Sequence, residues 1–222
     1  MIEKKDDYAP LAASGTETSL RYAILSQLAD RHSTPPRRLV APAPSDHDLE
    51  VMMRVALAAP SHGGLRNFRL IRIDEHARPA LSDLFEAAER ELTPCPSAES
   101  LERARDKASH APLLLLFVVR AYANHPDIPV IEQYASAGAA LGGILHAAHA
   151  LGFGAMAVSG HKLTTSVFRT AFALDKHEEA LCFVALGTPS GPARRKLRDA
   201  PDTIISHWPP AGVQANLPRT TP

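Results

Sequence analysis

Apolar positions along this 222-residue chain recur in two rhythms, one helical and one strand-like, and their alternation lays out the elements. Leu20, Ile24 and Leu28 share one stripe and predict a helix over residues 19–30. The next stretch, RHSTPPRRLVAPAP, is too rich in proline to be helical throughout. Ser45 then fits an N-cap with Asp48 three residues on, opening a helix that runs to Ala59 and stops at Pro60. Residues 68–74, FRLIRID, alternate with a period of two and predict a strand. Helices are expected at 77–92 and 98–109, split by TPCPS. Residues 113–121 are apolar on both faces, the mark of a central buried strand. A long helix over 130–151 is crowded with alanine and glycine and ends at Gly152-Phe153-Gly154. A strand at 155–160, a helix at 165–172 and a strand at 180–186 complete the set. Four strands among helices, with no repeat and no second domain, imply an α+β or α/β sandwich with helices on both faces of the sheet.

Composition narrows the class. Hydrophobic residues make up 45% of the chain, enough for one good-sized core. Lys plus Arg and Asp plus Glu both number 24, so no global field draws the chain to nucleic acid or an anionic membrane. Any bound anion must be held by a local site. Cys95 and Cys182 form no CxxC pair, and Cys182 lies in an apolar run that predicts burial. No apolar run reaches the length of a membrane span, and the N-terminal segment lacks the apolar stretch of a secretory signal. The expectation is a cytoplasmic protein with a flexible segment at 1–17, one folded domain at 18–208 and a Pro-rich tail at 209–222.

Four short constellations carry candidate chemistry. Arg31-His32-Ser33-Thr34 follows the first helix, where an arginine and hydroxyls suit a phosphate and equally suit a solvated helix end. Pro60-Ser61-His62-Gly63-Gly64 links a helix to a strand, either to admit a flat ligand close to backbone or as an ordinary connection. Gly152-Phe153-Gly154 leads into Ala157-Val158-Ser159, a strand end offering backbone amides or a plain helix cap and core strand. Gly187-Thr188-Pro189 precedes Arg194, Arg195, Lys196 and Arg198, the densest positive cluster, which fits a phosphate dianion or a solvated surface.

In this order the four resemble the FMN-dependent nitroreductases, in their short single-domain branch, over residues 20–198. The resemblance implies an α+β three-layer sandwich, a mainly antiparallel sheet flanked by helices, in an intertwined homodimer. It implies FMN at the subunit interface. Arg31 and Ser33 would contact the phosphate and ribityl chain with His32 behind them. Pro60, Ser61 and His62 would lie near the isoalloxazine ring, and Ala157, Val158 and Ser159 would offer it backbone contacts. Lys196 and Arg198, or Arg195, would complete the phosphate site. The implied reaction is ping-pong: NAD(P)H gives hydride to the flavin, which reduces a nitroaromatic, quinone or similar small-molecule acceptor, with no obligatory protein acid or base. The small residues of the 130–151 helix make it the expected dimer core.

Departures bear on the acceptor. Where the family often has Gln-Pro-Trp, this chain has Arg66-Asn67-Phe68, and Pro35 and Pro36 stand near a position where a flavin-edge cation is often found. Arg37, Arg38 and Arg66 are the available substitutes. The rival from another class is a flavin-binding or storage protein of the same fold without turnover. His146 and His149, three apart on the long helix, raise a metal site, but no third ligand stands at a matching spacing, so none is expected.

Overall fold

The computed structural model describes residues 16–192, 198–206 and 208. Its elements are α1 (Thr16–Asp30), β1 (Leu39–Val40), α2 (Asp46–Leu57), β2 (Phe68–Ile73), α3 (Arg78–Leu92), α4 (Ala98–Asp106), β3 (Leu113–Arg120), α5 (Val130–Ala150), β4 (Gly154–Val158), α6 (Ser166–Ala171) and β5 (Glu178–Pro189). Arg195 and Lys196 lie outside the described residues, as do residues 1–15 and 209–222.

Every strand pairing is antiparallel. The order is β1-β5-β3-β2, with β4 on the same edge of β5 as β1 but further along it. Alternation on β3 sets the layers. Leu114, Leu116 and Val118 join one core with Leu81 and Phe85 of α3, Ala104 of α4 and Phe168 of α6. Leu113, Leu115, Phe117 and Val119 join the other with Met52 and Ala56 of α2 and Ala137, Ala140 and Ile144 of α5. A sheet between two helical layers is the expected α+β sandwich. Leu116, Phe117 and Val118 are wholly buried, worth roughly 1.5–3 kcal/mol each in removal from water.

Local signals account for most of the boundaries. Ser45 Oγ accepts from the Asp48 amide while Asp48 Oδ2 accepts from the Ser45 amide, a reciprocal capping box that starts α2. The end of α5 is closed by Gly152 N donating to the His149 carbonyl and Phe153 N to that of Ala148, at 3.0 and 2.9 Å. The sequence pattern did not predict β1, which stands among prolines and exists because Leu39 and Val40 meet Pro189 and Thr188. For the same reason β5 runs three residues beyond its apolar stretch. The stripe on α1 is helical as expected, but Leu20, Ile24 and Leu28 are 62%, 51% and 42% exposed, so the described chain leaves it uncovered.

Candidate functional site

The site begins where α1 ends. Arg31, His32, Ser33 and Thr34 run off the helix toward the start of β4, where Thr34 N donates to the Ala155 carbonyl at 3.0 Å. Thr34 is buried against Gly154, and Gly154 is what permits the approach. A Cβ there would lie 2.6 Å from Leu39 Cδ2, 3.0 Å from Thr34 Oγ1 and 3.1 Å from Pro189 Cγ. The second glycine of Gly-Phe-Gly therefore joins three of the four constellations at one spot.

Arg198 arrives from the C-terminal side, its Nη2 donating to the main-chain carbonyl of Arg31 at 2.5 Å. His146 and His149, one turn apart on α5, face the same place. The His32 and His149 rings meet edge-on at 5.6 Å, and His32 Nδ1 stands 3.2 Å from the Asp30 carbonyl. Among the described residues neither the Arg31 nor the Arg198 guanidinium has a carboxylate at ion-pair distance. Burial and then the Arg198 charge push Arg31 below its ordinary value. Burial, followed by Arg31 and Arg198, lowers His146. Burial and the charges of His32 and Arg31 lower His149, with Asp30 opposing. His146 Nδ1 is buried with no hydrogen-bond partner, a state that costs roughly 1–3 kcal/mol when nothing fills it. The arrangement is short of negative charge and of one hydrogen-bonding group, which is what an anion supplies.

A second group of cations, between α3 and α4, is held differently. A cleft of about 670 Å³ between α3 and α4 is lined by Arg78, Arg103 and Arg105. Arg105 there meets Asp83 and Glu86, Arg103 meets Glu99, and Arg78 donates to main-chain carbonyls. No comparable need for an anion arises at that cleft.

The second expected segment lies toward the other end of α5. Pro60, Ser61 and His62 are exposed. Ser136 Oγ donates to the Pro60 carbonyl at 2.8 Å and His62 Nδ1 faces Glu132 Oε2 at 3.0 Å. Gly63 and Gly64 follow with φ of 62° and 69°, a left-handed turn that side-chain-bearing residues resist. From Glu132 to His146 the helix rises about 20 Å, so within one chain this loop stands apart from Arg31. Ala157 and Val158 are half-buried on β4 opposite Val184 and Phe183, and Ser159 is exposed just past the strand. Among the possible flavin-edge cations, Arg37 is engaged by Asp106 and His110, and Arg38 by the Pro192 carbonyl. Arg66 is exposed in the loop before β2. Asn67 turns inward, its Nδ2 on the Gln133 carbonyl at 3.1 Å.

Sequence reasoning placed Arg31 and Arg198 in one site but did not place His146 and His149 beside them. Their helical spacing was visible, as was their position just before Gly-Phe-Gly; the neighbour they face was not. Among the described residues no group of three His, Cys, Asp or Glu gathers to hold a metal ion.

The Nitroreductase family profile matches residues 28–188. A Haemophilus influenzae protein provisionally named an NAD(P)H nitroreductase is 31% identical over 174 residues, covering 78% of this chain and 92% of the relative. The structure of a nitroreductase-like family protein from Bacillus cereus aligns with a TM-score of 0.72 at 16% identity, covering 89% of this chain and 98% of that one. That of a protein from Desulfovibrio desulfuricans in complex with FMN, provisionally named a nitroreductase, aligns with a TM-score of 0.62 at 22% identity, covering 84% and 98%. With its ordered motifs and its three-layer sandwich, the chain belongs to the nitroreductase family.

Proposed function

We propose that this protein is an FMN-dependent oxidoreductase that takes hydride from NAD(P)H and passes electrons to a nitroaromatic, a quinone or a similar small acceptor. The observation that carries the proposal is the convergence of Arg31 and Arg198 with no carboxylate among the described residues at ion-pair distance from either guanidinium. A phosphate dianion is the group such a pair accommodates, by charge-assisted hydrogen bonds. The names of the Haemophilus and Desulfovibrio proteins point the same way.

The residues present fit the flavin nucleotide. Arg31, His32 and Ser33 on one side and Arg198 on the other would hold the phosphate, with Arg195 and Lys196 of the same basic segment outside the described residues. Ala157, Val158 and Ser159, beyond the Thr34–Ala155 contact, would present backbone to the ring. Bound FMN supplies the two-electron redox chemistry. The chain's part is to fix the phosphate, exclude water from one face of the ring and leave the other face open to nicotinamide and acceptor in turn.

The site is completed by a second copy of the chain. Leu20, Ile24, Leu25 and Leu28 on α1 stand exposed, and so does Ile131 on α5. On α5, Cβ atoms added at Gly138 or Gly142 would meet nothing within 4 Å, so packing among the described residues does not explain these glycines. Each aliphatic side chain here gains roughly 1.5–3 kcal/mol on full burial. In such a homodimer the Pro60–His62 loop of one subunit reaches the ring held by the phosphate site of the other.

The test is a visible spectrum of the purified full-length protein, anaerobically, before and after NADH or NADPH. The expected result is a yellow protein that bleaches with one equivalent of nicotinamide and regains its colour with a nitroaromatic or quinone. Failure to retain added FMN through gel filtration would refute the proposal. Retention without bleaching by either nicotinamide would leave a flavin-binding protein and remove the reductase.

A further inference from the structure

The histidines of α5 remain to be explained, because FMN binding by arginines does not require them. We propose that His146 and His149 belong to the phosphate site and that binding of a phosphate ester there takes up protons. The inference rests on the flavin reading above and extends it to residues on α5.

The geometry is a ring of groups from three parts of the chain. Arg31 and His32 come from the end of α1, His146 and His149 from the last turns of α5, and Arg198 from the C-terminal segment. Asp30, at the end of α1, is the acid that acts on this ring through His149. His146 Nδ1 is closed off from solvent and has no partner, although an imidazole nitrogen in that position ordinarily finds one. Its neighbours are cations, against which a protonated imidazole is disfavoured. With the ester bound, the sign reverses: two negative charges sit among the same groups, and an N–H on each ring becomes a donor to phosphate oxygen.

The linkage follows. Both imidazoles lie below their ordinary value of 6.5 in the free protein, through burial and the nearby arginines. They are therefore neutral at pH 7.5. The bound dianion raises them. Between the free and bound values each binding event draws protons from solution, and affinity falls as pH rises through that window. A phosphate monoester has its own second ionisation near pH 6, so uptake at pH 7.5 and above belongs to the protein.

The measurement is calorimetric titration of the flavin-stripped full chain with FMN at pH 7.5, in two buffers of different ionisation heat, with riboflavin as the control lacking phosphate. The expected uptake is roughly half a proton per FMN, with affinity weakening roughly twofold between pH 7.5 and 8.5. Riboflavin should take up none. His146→Gln/His149→Gln, which keeps polar side chains of similar length, should still bind FMN but lose the uptake. If that variant misfolds, the wild-type histidine C2–H resonances serve instead: titrated with pH, two of them should move to higher pKa when FMN is added. FMN binding with no proton uptake, or with uptake intact in the double variant, overturns the inference and leaves the flavin site standing. Equal affinity for FMN and riboflavin, or no binding of either, overturns the phosphate site itself and this inference with it.

Discussion

Arg198 donates to the main-chain carbonyl of Arg31 at 2.5 Å across 167 residues of sequence, bringing its charge close enough to lower the pKa of the Arg31 guanidinium. Such a pair is repulsive in isolation. Replacing either arginine by alanine should weaken FMN binding roughly tenfold to a hundredfold, the worth of one charged hydrogen bond at about 1.5–3 kcal/mol. Riboflavin affinity should hardly change. The flavin-free protein should melt no lower in Arg31→Ala, because the substitution removes a half-buried cation without an acid partner. An equal loss for FMN and riboflavin would show that the pair does not meet phosphate.

Gly154 offers a steric test of the same site. A methyl group at this position would fall 2.6 Å from Leu39 Cδ2 and 3.0 Å from Thr34 Oγ1. Gly154→Ala should cost about 1–3 kcal/mol by overpacking and should push the Arg31–Thr34 segment off β4. Denaturant midpoint and FMN affinity should fall together. A stable Gly154→Ala protein with unchanged FMN affinity would mean that the contact between Thr34 and the strand does not set the site.

How far the sequence reached is clear from particular residues. Leu113 to Arg120 was legible because both faces of a central strand are apolar, and Ser45 with Asp48 because capping is local. Leu39–Val40 was not, since its partners Pro189 and Thr188 lie about 150 residues away and proline flanks it. His146 and His149 were visible as a pair on one helical face, but periodicity does not name the neighbour of a face. The stripe of Leu20, Ile24 and Leu28 shows the same limit: the period marks it as apolar, and only the structure shows that the described residues leave it exposed. Within the proposed site, the candidates legible in advance were those tied to short ordered motifs, Arg31 and Gly154 among them; the neighbours that tertiary packing brings to them were not legible.

That uncovered stripe leads to a prediction about assembly. Ile24→Asp places a charge in the middle of an exposed apolar row. In a lone chain it would be harmless or mildly stabilising. Within a subunit interface it should shift the protein to monomer in analytical ultracentrifugation and release FMN in proportion. Gly138→Ala is a sharper companion, because nothing within 4 Å opposes its methyl group and alanine favours a helix by about 1 kcal/mol over glycine. It should stabilise a monomer and weaken a dimer packed on α5. Stabilisation of both variants with no change in mass would rule out α1 and α5 as the interface.

Glu178 anchors the end of the sheet remote from the proposed phosphate site. Its buried carboxylate accepts Arg69 Nε and Nη2 from β2 at 2.7 and 2.8 Å and Arg120 Nη2 from β3 at 2.6 Å. The hydrogen bonds from Arg69, with those from Arg120 and the Asp175 amide, outweigh burial and hold its pKa down to about 2. The folded value lies below the unfolded one, so the stabilisation is complete above about pH 4.5 and is lost as pH falls toward 2. Its size is on the order of 3 kcal/mol. Glu178→Gln should lose that much at neutral pH, since it leaves two arginines facing an uncharged amide. It should also show a flatter decline in stability between pH 5 and 3 than wild type, as followed by urea denaturation across that range. Parallel pH profiles for the two proteins would assign the acid sensitivity to other carboxylates. The distance of Glu178 from Arg31 adds a separation of effects: FMN affinity at neutral pH should survive the substitution even as global stability drops, which marks this cluster as scaffold and the Arg31–Arg198 pair as site.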